Sequence, residues 1–327
     1  MSALVLTLLA SALFCGVYLK LARRWQILDL PNERSSHELP TPHGGGVPLV
    51  LALLVGLACA AVFGTHWSSH YLWLAAGAVL LMSLGVLDDL RGLSVRSRFA
   101  LYSLVCVLTV VLLLDPFGSA SLAMLALAVV AAFALLWMLN LYNFMDGIDG
   151  IAGVQCFLAC CSAALLSWLG SGDGQYALFC LLLAAAHAGF LVWNWPPARL
   201  FMGDAGSVPT GYLLGALAIA GTVEGQLNIA AWLILLAAFI TDASYTLLKR
   251  IIAGQPFTRP HREHAYQRLS RHWGGHLPVD MAVIALNGLW LFPLAWTSTT
   301  WPKFSILLVI LAYLPLLIGM AKMRKFS

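Results

Sequence analysis

Charge is scarce in this sequence of 327 residues: 18 basic and 14 acidic side chains make up 10% of it, where a soluble globular chain carries roughly 25%. Hydrophobic residues reach 61%, and mean hydropathy is +0.87. A soluble domain of this size cannot hide so much apolar surface, and a disordered chain needs the opposite composition. A cytosolic enzyme, a nucleic-acid binder and a secreted scaffold are therefore excluded, and a polytopic membrane protein remains. Paired cysteines are also missing. The seven cysteines lie scattered inside apolar runs with no CxxC spacing, which excludes a disulfide framework and a zinc site. No GxGxxG opens a helix after a strand, Gly44-Gly45-Gly46 is not a Walker loop, and the acids do not follow DDxxD spacing. No basic residue precedes the first apolar run, so that run does not read as a signal peptide.

What is present is length in the apolar runs. A span needs about 20 apolar residues to cross about 30 Å of hydrocarbon. Eleven stretches qualify: 3–22, 46–64, 70–87, 99–114, 121–139, 151–169, 175–193, 207–223, 227–248, 279–298 and 302–321. They are too long for the strands of a transmembrane barrel, so the expected fold is all-α. The stretch 207–223 stands out as short and rich in glycine. Threading the chain through these spans puts 17 of the 18 basic residues on one side, with Lys303 alone on the other. Basic residues collect on the cytoplasmic side, so the N-terminus is expected outside and the C-terminus in the cytoplasm. The chain reads as a single membrane domain, 1–327, with no repeat or linker.

The acidic residues gather in the inner loops. Asp88 and Asp89 end the third span, where the helix dipole is negative and two adjacent carboxylates repel. Either they mark the water boundary and pair with Arg91, or they form a site for metal or phosphate beside Arg91, Arg96 and Arg98. Between spans five and six, Asp146 and Asp149 lie three residues apart, with Asn140 and Asn143 before them and Gly147, Gly150 and Gly153 around them. The stretch is a turn that caps span six, or a face stripped of side chains for a ligand. Asp204 sits between Gly203 and Gly206 near the start of span eight. It is a plain N-cap, or a magnesium ligand beside N–H groups that face a phosphate. Asp242 lies inside span nine, where an ionisable group is a functional candidate by default, although a buried partner on another helix would explain it too. His187 reads as a satisfied core histidine. The last inner loop carries Arg259, His261, Arg262, His264 and Arg268, which attract anionic lipid or clamp a phosphate ester.

Taken jointly, these loops resemble those of the polyprenyl-phosphate N-acetylhexosamine-1-phosphate transferases, a family that includes the bacterial phospho-N-acetylmuramoyl-pentapeptide transferase. The likeness runs through Pro31-Asn32-Glu33-Arg34 with His37, the Pro42-His43-Gly44-Gly45 run, Asp88-Asp89, the Asn143-to-Gly150 stretch, Asn194, Phe201-Met202-Gly203-Asp204-Ala205-Gly206-Ser207, and His264. The resemblance implies transfer of a sugar 1-phosphate from a UDP-N-acetylhexosamine to polyprenyl phosphate, with release of UMP. It implies Mg²⁺, with Mn²⁺ as a substitute, on Asp204. Asp88, Asp89, Asp146, Asp149 and His264 become catalytic residues. Asn143, Asn194, Arg262, His261, Arg34, His37 and Asp242 become substrate-binding residues. A bacterial inner membrane, an active site on its cytoplasmic face and room for a homodimer follow as expectations, with no nucleic acid involved. Ser35, Tyr266 and Gln267 stand where many members carry a lysine and two histidines. The chain therefore resembles the branch that starts O-antigen or capsular glycans. A transporter of sugar or lipid-linked sugar is the competing class, but its polar site belongs near the midplane, whereas here nearly all unusual polar residues lie at one surface.

Overall fold

The computed structural model describes residues 2–30, 39–115, 118, 121–170, 174–255 and 261–322. The protein is an all-helical bundle. Its elements are α1 (Ser2–Arg24), α2 (Gly46–Val62), α3 (Ser69–Arg91), α4 (Val95–Leu114), α5 (Leu122–Met145), α6 (Ile151–Gly170), α7 (Gly174–Asn194), α8 (Asp204–Val223), α9 (Ile229–Leu235), α10 (Ala237–Ile252), α11 (Ala265–Trp273), α12 (Leu277–Leu286), α13 (Phe292–Thr300) and α14 (Ser305–Lys322). A two-residue hairpin, β1 (Leu28–Asp29) against β2 (Thr41–Pro42), closes the first inner loop. Each of the eleven expected stretches falls on helix. Among the described residues, nine helical segments are long and apolar enough to cross a membrane, with α12 and α13 counted as one. The bent pair α9 and α10 makes a tenth, and α2, with 17 residues, is shorter.

The glycine-rich stretch is the centre of the bundle. In its most apolar window 83% of α8 is buried, against 17% for the segment that contains α14. Helices in lipid associate through close backbone contact, which small residues permit. A Cβ on Gly211 would stand 2.6 Å from the Cβ of Tyr142 on α5, and one on Gly85 of α3 would stand 2.6 Å from the amide nitrogen of Ala205. The glycines thus let α3 and α5 close on α8. His187 is buried against the core as expected, its ring nitrogens 2.9 Å from the Leu183 carbonyl and 3.1 Å from Thr210 Oγ1.

Three expectations need correction. The stretch 227–248 is not one straight span, because the chain turns by 72° between α9 and α10. No proline or glycine marks the break in Leu-Ala-Ala-Phe, and the Leu235 carbonyl beside it accepts a hydrogen bond from Gln155 Nε2 of α6 at 2.9 Å. Helix α3 runs on to Arg91, past the expected stretch 70–87, and carries Asp88 and Asp89 in its last turns. The last inner loop folds into α11, whose buried residues are Tyr266, Gln267 and Ser270 while Arg271 and His272 face outward.

Candidate active site

The C-terminal ends of α3 and α5 and the N-terminal ends of α4 and α8 meet at one polar corner. Helix α3 stops at Gly92, which takes a left-handed φ of 62° and sends its N–H back to the Asp88 carbonyl at 2.7 Å. The reversal folds α4 over the end of α3. Asp88 Oδ1 then accepts the Leu93 N–H at 2.7 Å, and Oδ2 accepts Arg98 at 2.6 Å. The same guanidinium nitrogen lies 3.5 Å from Asp204 Oδ2. Asn143, on the last turn of α5, donates to Asp204 Oδ1 at 2.8 Å and to Ser207 Oγ at 2.9 Å. Asp89 faces the His43 ring at 3.8 Å. Asp146 follows α5 directly. Burial pushes its carboxyl well above the usual range, and the neighbouring Asp204 and Asp149 charges push the same way.

The triglycine run has a physical use here. Gly45 and Gly46 donate backbone hydrogen bonds to the Phe201 and Met202 carbonyls, both at 2.9 Å. A Cβ on Gly46 would overlap the backbone of Gly206. The first loop therefore lies flat against the turn that presents Asp204, and only bare backbone fits between them.

From this corner a cavity of about 530 Å³ extends between α4, α5, α8 and α10. Its polar end carries Asp204, Asn143, Arg98 and Tyr102, with His261, His264 and Gln267 on the facing wall. Its other walls are apolar. Phe99 and Phe133 line it while being 54% and 68% exposed, so the cavity opens between α4 and α5 toward the surrounding lipid. His261 stacks on His264 with ring centroids 4.9 Å apart. Burial, then the neighbouring His264 and Arg250, push the His261 ring down to about 4, so it is neutral near pH 7.

Of the residues expected at the site, Asn143, Asp204, His261 and His264 line this cavity, and Asp88, Asp89 and Asp146 stand behind its polar end. Four others are used differently. Asp149 accepts the Ala198 N–H at 2.9 Å and meets His276. Asn194 links the Gly150 N–H to the Leu200 carbonyl. Asp242 accepts the first two N–H groups of α11, from Ala265 at 2.9 Å and Tyr266 at 3.0 Å, and also meets His264. That is a carboxylate at a helix N-terminus, where the dipole favours it. These three are bracing groups, and none lines the cavity. Arg262 lies beside Arg271, which donates to its carbonyl, and also lies off the cavity wall. Arg34 and His37 fall outside the described residues. The bridging role of Arg98 went unassigned in the sequence, where only its nearness to Asp88 and Asp89 was a signal.

The comparisons agree with this geometry. Residues 71–222, from α3 to the end of α8, match glycosyl transferase family 4. Over 96% of this chain and 90% of its own length, a probable undecaprenyl-phosphate N-acetylglucosaminyl 1-phosphate transferase of Bacillus subtilis is 25% identical. The middle of the chain is thus similar to this family, and the likeness to the relative runs over nearly its whole length. A decaprenyl-phosphate N-acetylglucosaminephosphotransferase of Mycolicibacterium smegmatis is 29% identical over 85% of this chain and 77% of its own length. A phospho-N-acetylmuramoyl-pentapeptide-transferase of Bartonella quintana is 27% identical over 64% of this chain and 68% of its own. The family match and these relatives together identify the protein as a membrane-embedded phosphoglycosyltransferase.

Proposed function

We propose that the protein transfers an N-acetylhexosamine 1-phosphate from a UDP-sugar to a polyprenyl phosphate at the cytoplasmic face, releasing UMP and starting a surface glycan. The observation that carries this reading is the form of the cavity. One end gathers Asp88, Asp204, Asn143 and Arg98, and the other is an apolar channel that opens to lipid. A substrate with a phosphate head and a polyprenyl tail matches both ends. The distribution of basic residues, 17 of 18 on one side, supports the cytoplasmic face.

The residues fit Mg²⁺. Among the described residues no three histidine, cysteine or acidic side chains converge as a complete ligand set. Magnesium seldom asks for one, since it binds one or two carboxylates and takes its other ligands from water and substrate phosphates. Asp204, with Asp88 and Asp89 close by, supplies the hard oxygens. When bound, the ion would neutralise diphosphate oxygens. Arg98 offers five donors beside the same carboxylates and can turn to a phosphate when one arrives. His261 and His264 add hydrogen-bond donors on the facing wall.

The acceptor needs little activation. A phosphate monoester has a second pKa near 6, so it is largely dianionic at neutral pH. Its oxygen attacks the β-phosphorus of the UDP-sugar, the bond to the bridging oxygen breaks, and UMP carries away the electron pair. Asp88 and Asp89 orient the acceptor or take its last proton. For the sugar, Tyr266 and Gln267 replace titratable groups by neutral ones. We read this as a preference for a 6-deoxy-N-acetylhexosamine, then N-acetylglucosamine, over a peptide-bearing sugar. Purified protein given polyprenyl phosphate, Mg²⁺ and a panel of UDP-sugars is expected to release UMP. No release from any donor refutes the reaction, and a preference for the muramoyl-pentapeptide donor refutes the branch.

A further inference from the structure

The turn between α11 and α12 grips the loops that carry Asp146 and Asp204. His276 Nδ1 lies 3.1 Å from Asp149 Oδ2 and 3.2 Å from the Asp149 amide nitrogen. With its hydrogen the ring nitrogen donates to the carboxylate, and without it the nitrogen accepts the N–H. Either tautomer holds the ring on Asp149. The same carboxylate accepts the Ala198 N–H from the loop that leads to Asp204, so one side chain joins three segments. Both groups are largely withdrawn from water, with 14% and 12% side-chain exposure.

A second contact from the same turn reinforces the first. Asp280, in the first turn of α12, is fully buried, and among the described residues neither of its carboxyl oxygens has a hydrogen-bond partner. Its Oδ2 stands 2.5 Å from where a Cβ on Gly150 would be. Gly150 takes a φ of 79° and sends its N–H to Asn194. A buried polar group without a partner is costly and uncommon in native folds. Here it packs against Gly150, where only bare backbone leaves room for it. Asp146 is three residues from Asp149, so its place relative to Asp204 depends on these grips.

We propose that His276 is a positioning residue of the transfer reaction: through Asp149 it fixes the Asp146 turn against the Asp204 loop. The inference rests on the reading that Asp146 and Asp204 flank the reacting phosphates. A misplacement of about 1 Å at a reacting centre costs on the order of 100-fold in rate. His276→Leu is therefore expected to lower kcat by roughly 10- to 100-fold, while KM for donor and acceptor stays within about threefold, because the cavity walls are untouched. His276→Asn, whose amide reaches the Nδ1 position, is expected to recover most of the rate. His276→Gln, whose amide reaches the Nε2 position, is not. Adding Asp149→Asn to His276→Leu should cost little more than the worse single change, since both break one contact.

Asp204→Asn is the control. If it stays active, the reading of the corner has failed, and the proposal falls with it. If it is inactive while His276→Leu keeps its kcat, the positioning role alone is wrong. Should the leucine variant fail to fold, the asparagine and glutamine variants decide, and equal rates in those two overturn the proposal.

Discussion

The two acid-bearing regions at the inner end of the bundle use the same side chain in opposite ways. Asp149 and Asp242 are both answered by partners. Asp149 has the Ala198 N–H and His276, and Asp242 has two N–H groups of α11, Thr246 and His264. Around Asp204 charge is in surplus, with Asp88, Asp89 and Asp146 sharing the corner with Arg98. Satisfied carboxylates build a fold. Surplus carboxylates store a demand for cations, which the proposed magnesium–diphosphate substrate would meet.

The largest expected effect separates the two regions outright. Asp204→Asn keeps the shape and the Asn143 contact but removes the charge, and turnover is expected to fall by about 1,000-fold or more while the protein stays folded. Undiminished turnover would place the chemistry elsewhere.

Asp146→Asn sharpens the contrast by moving activity and stability apart. The carboxyl of Asp146 is held well above its usual range in the folded protein. The folded state thus binds a proton more tightly than the unfolded one, and stability falls as pH rises from about 4 toward the raised value. At neutral pH the buried carboxyl is a burden on the fold, because folding must either take up a proton there or bury a charge, and asparagine removes that burden. The expected result is a higher Tm at pH 7, a smaller loss of Tm between pH 5 and pH 8, and a large drop in activity. A lower Tm at pH 7 would move Asp146 into the satisfied group.

The smallest effect belongs to Asp242. Asp242→Asn keeps one acceptor oxygen and turns an amide toward an N–H of α11, which is expected to cost about 1–3 kcal/mol of stability. Turnover per folded molecule should fall only as far as His264 and α11 shift. Thermal unfolding and specific activity, measured on the same sample, check it. A loss of activity as deep as that of Asp204→Asn would show that the two regions are one.

Much of this was legible in the order of residues. The length of the apolar runs marked the helices, and the crowding of Asp88, Asp89, Asp146 and Asp204 beside short glycine runs marked the corner. Asp149, Asn194 and Asp242 looked equally functional, because a polar side chain beside an apolar run reads the same whether a backbone group or a substrate answers it. The partner of Asp149, Ala198, is 49 residues away in the chain, and no spacing rule reaches so far. His276 carried no signal at all, since a histidine at a helix start is common.

The sequence by itself determined the solvent and the helices, because burial of apolar surface and the cost of moving charge through lipid act on composition and spacing alone. Only the tertiary structure decided where α9 bends into α10, which helix is central, and which carboxylates are left over. Those outcomes depend on close contacts between segments far apart in the chain. A bare backbone at Gly46, Gly85 or Gly211 permits such a contact, and whether it is used is settled only when the partner helix arrives.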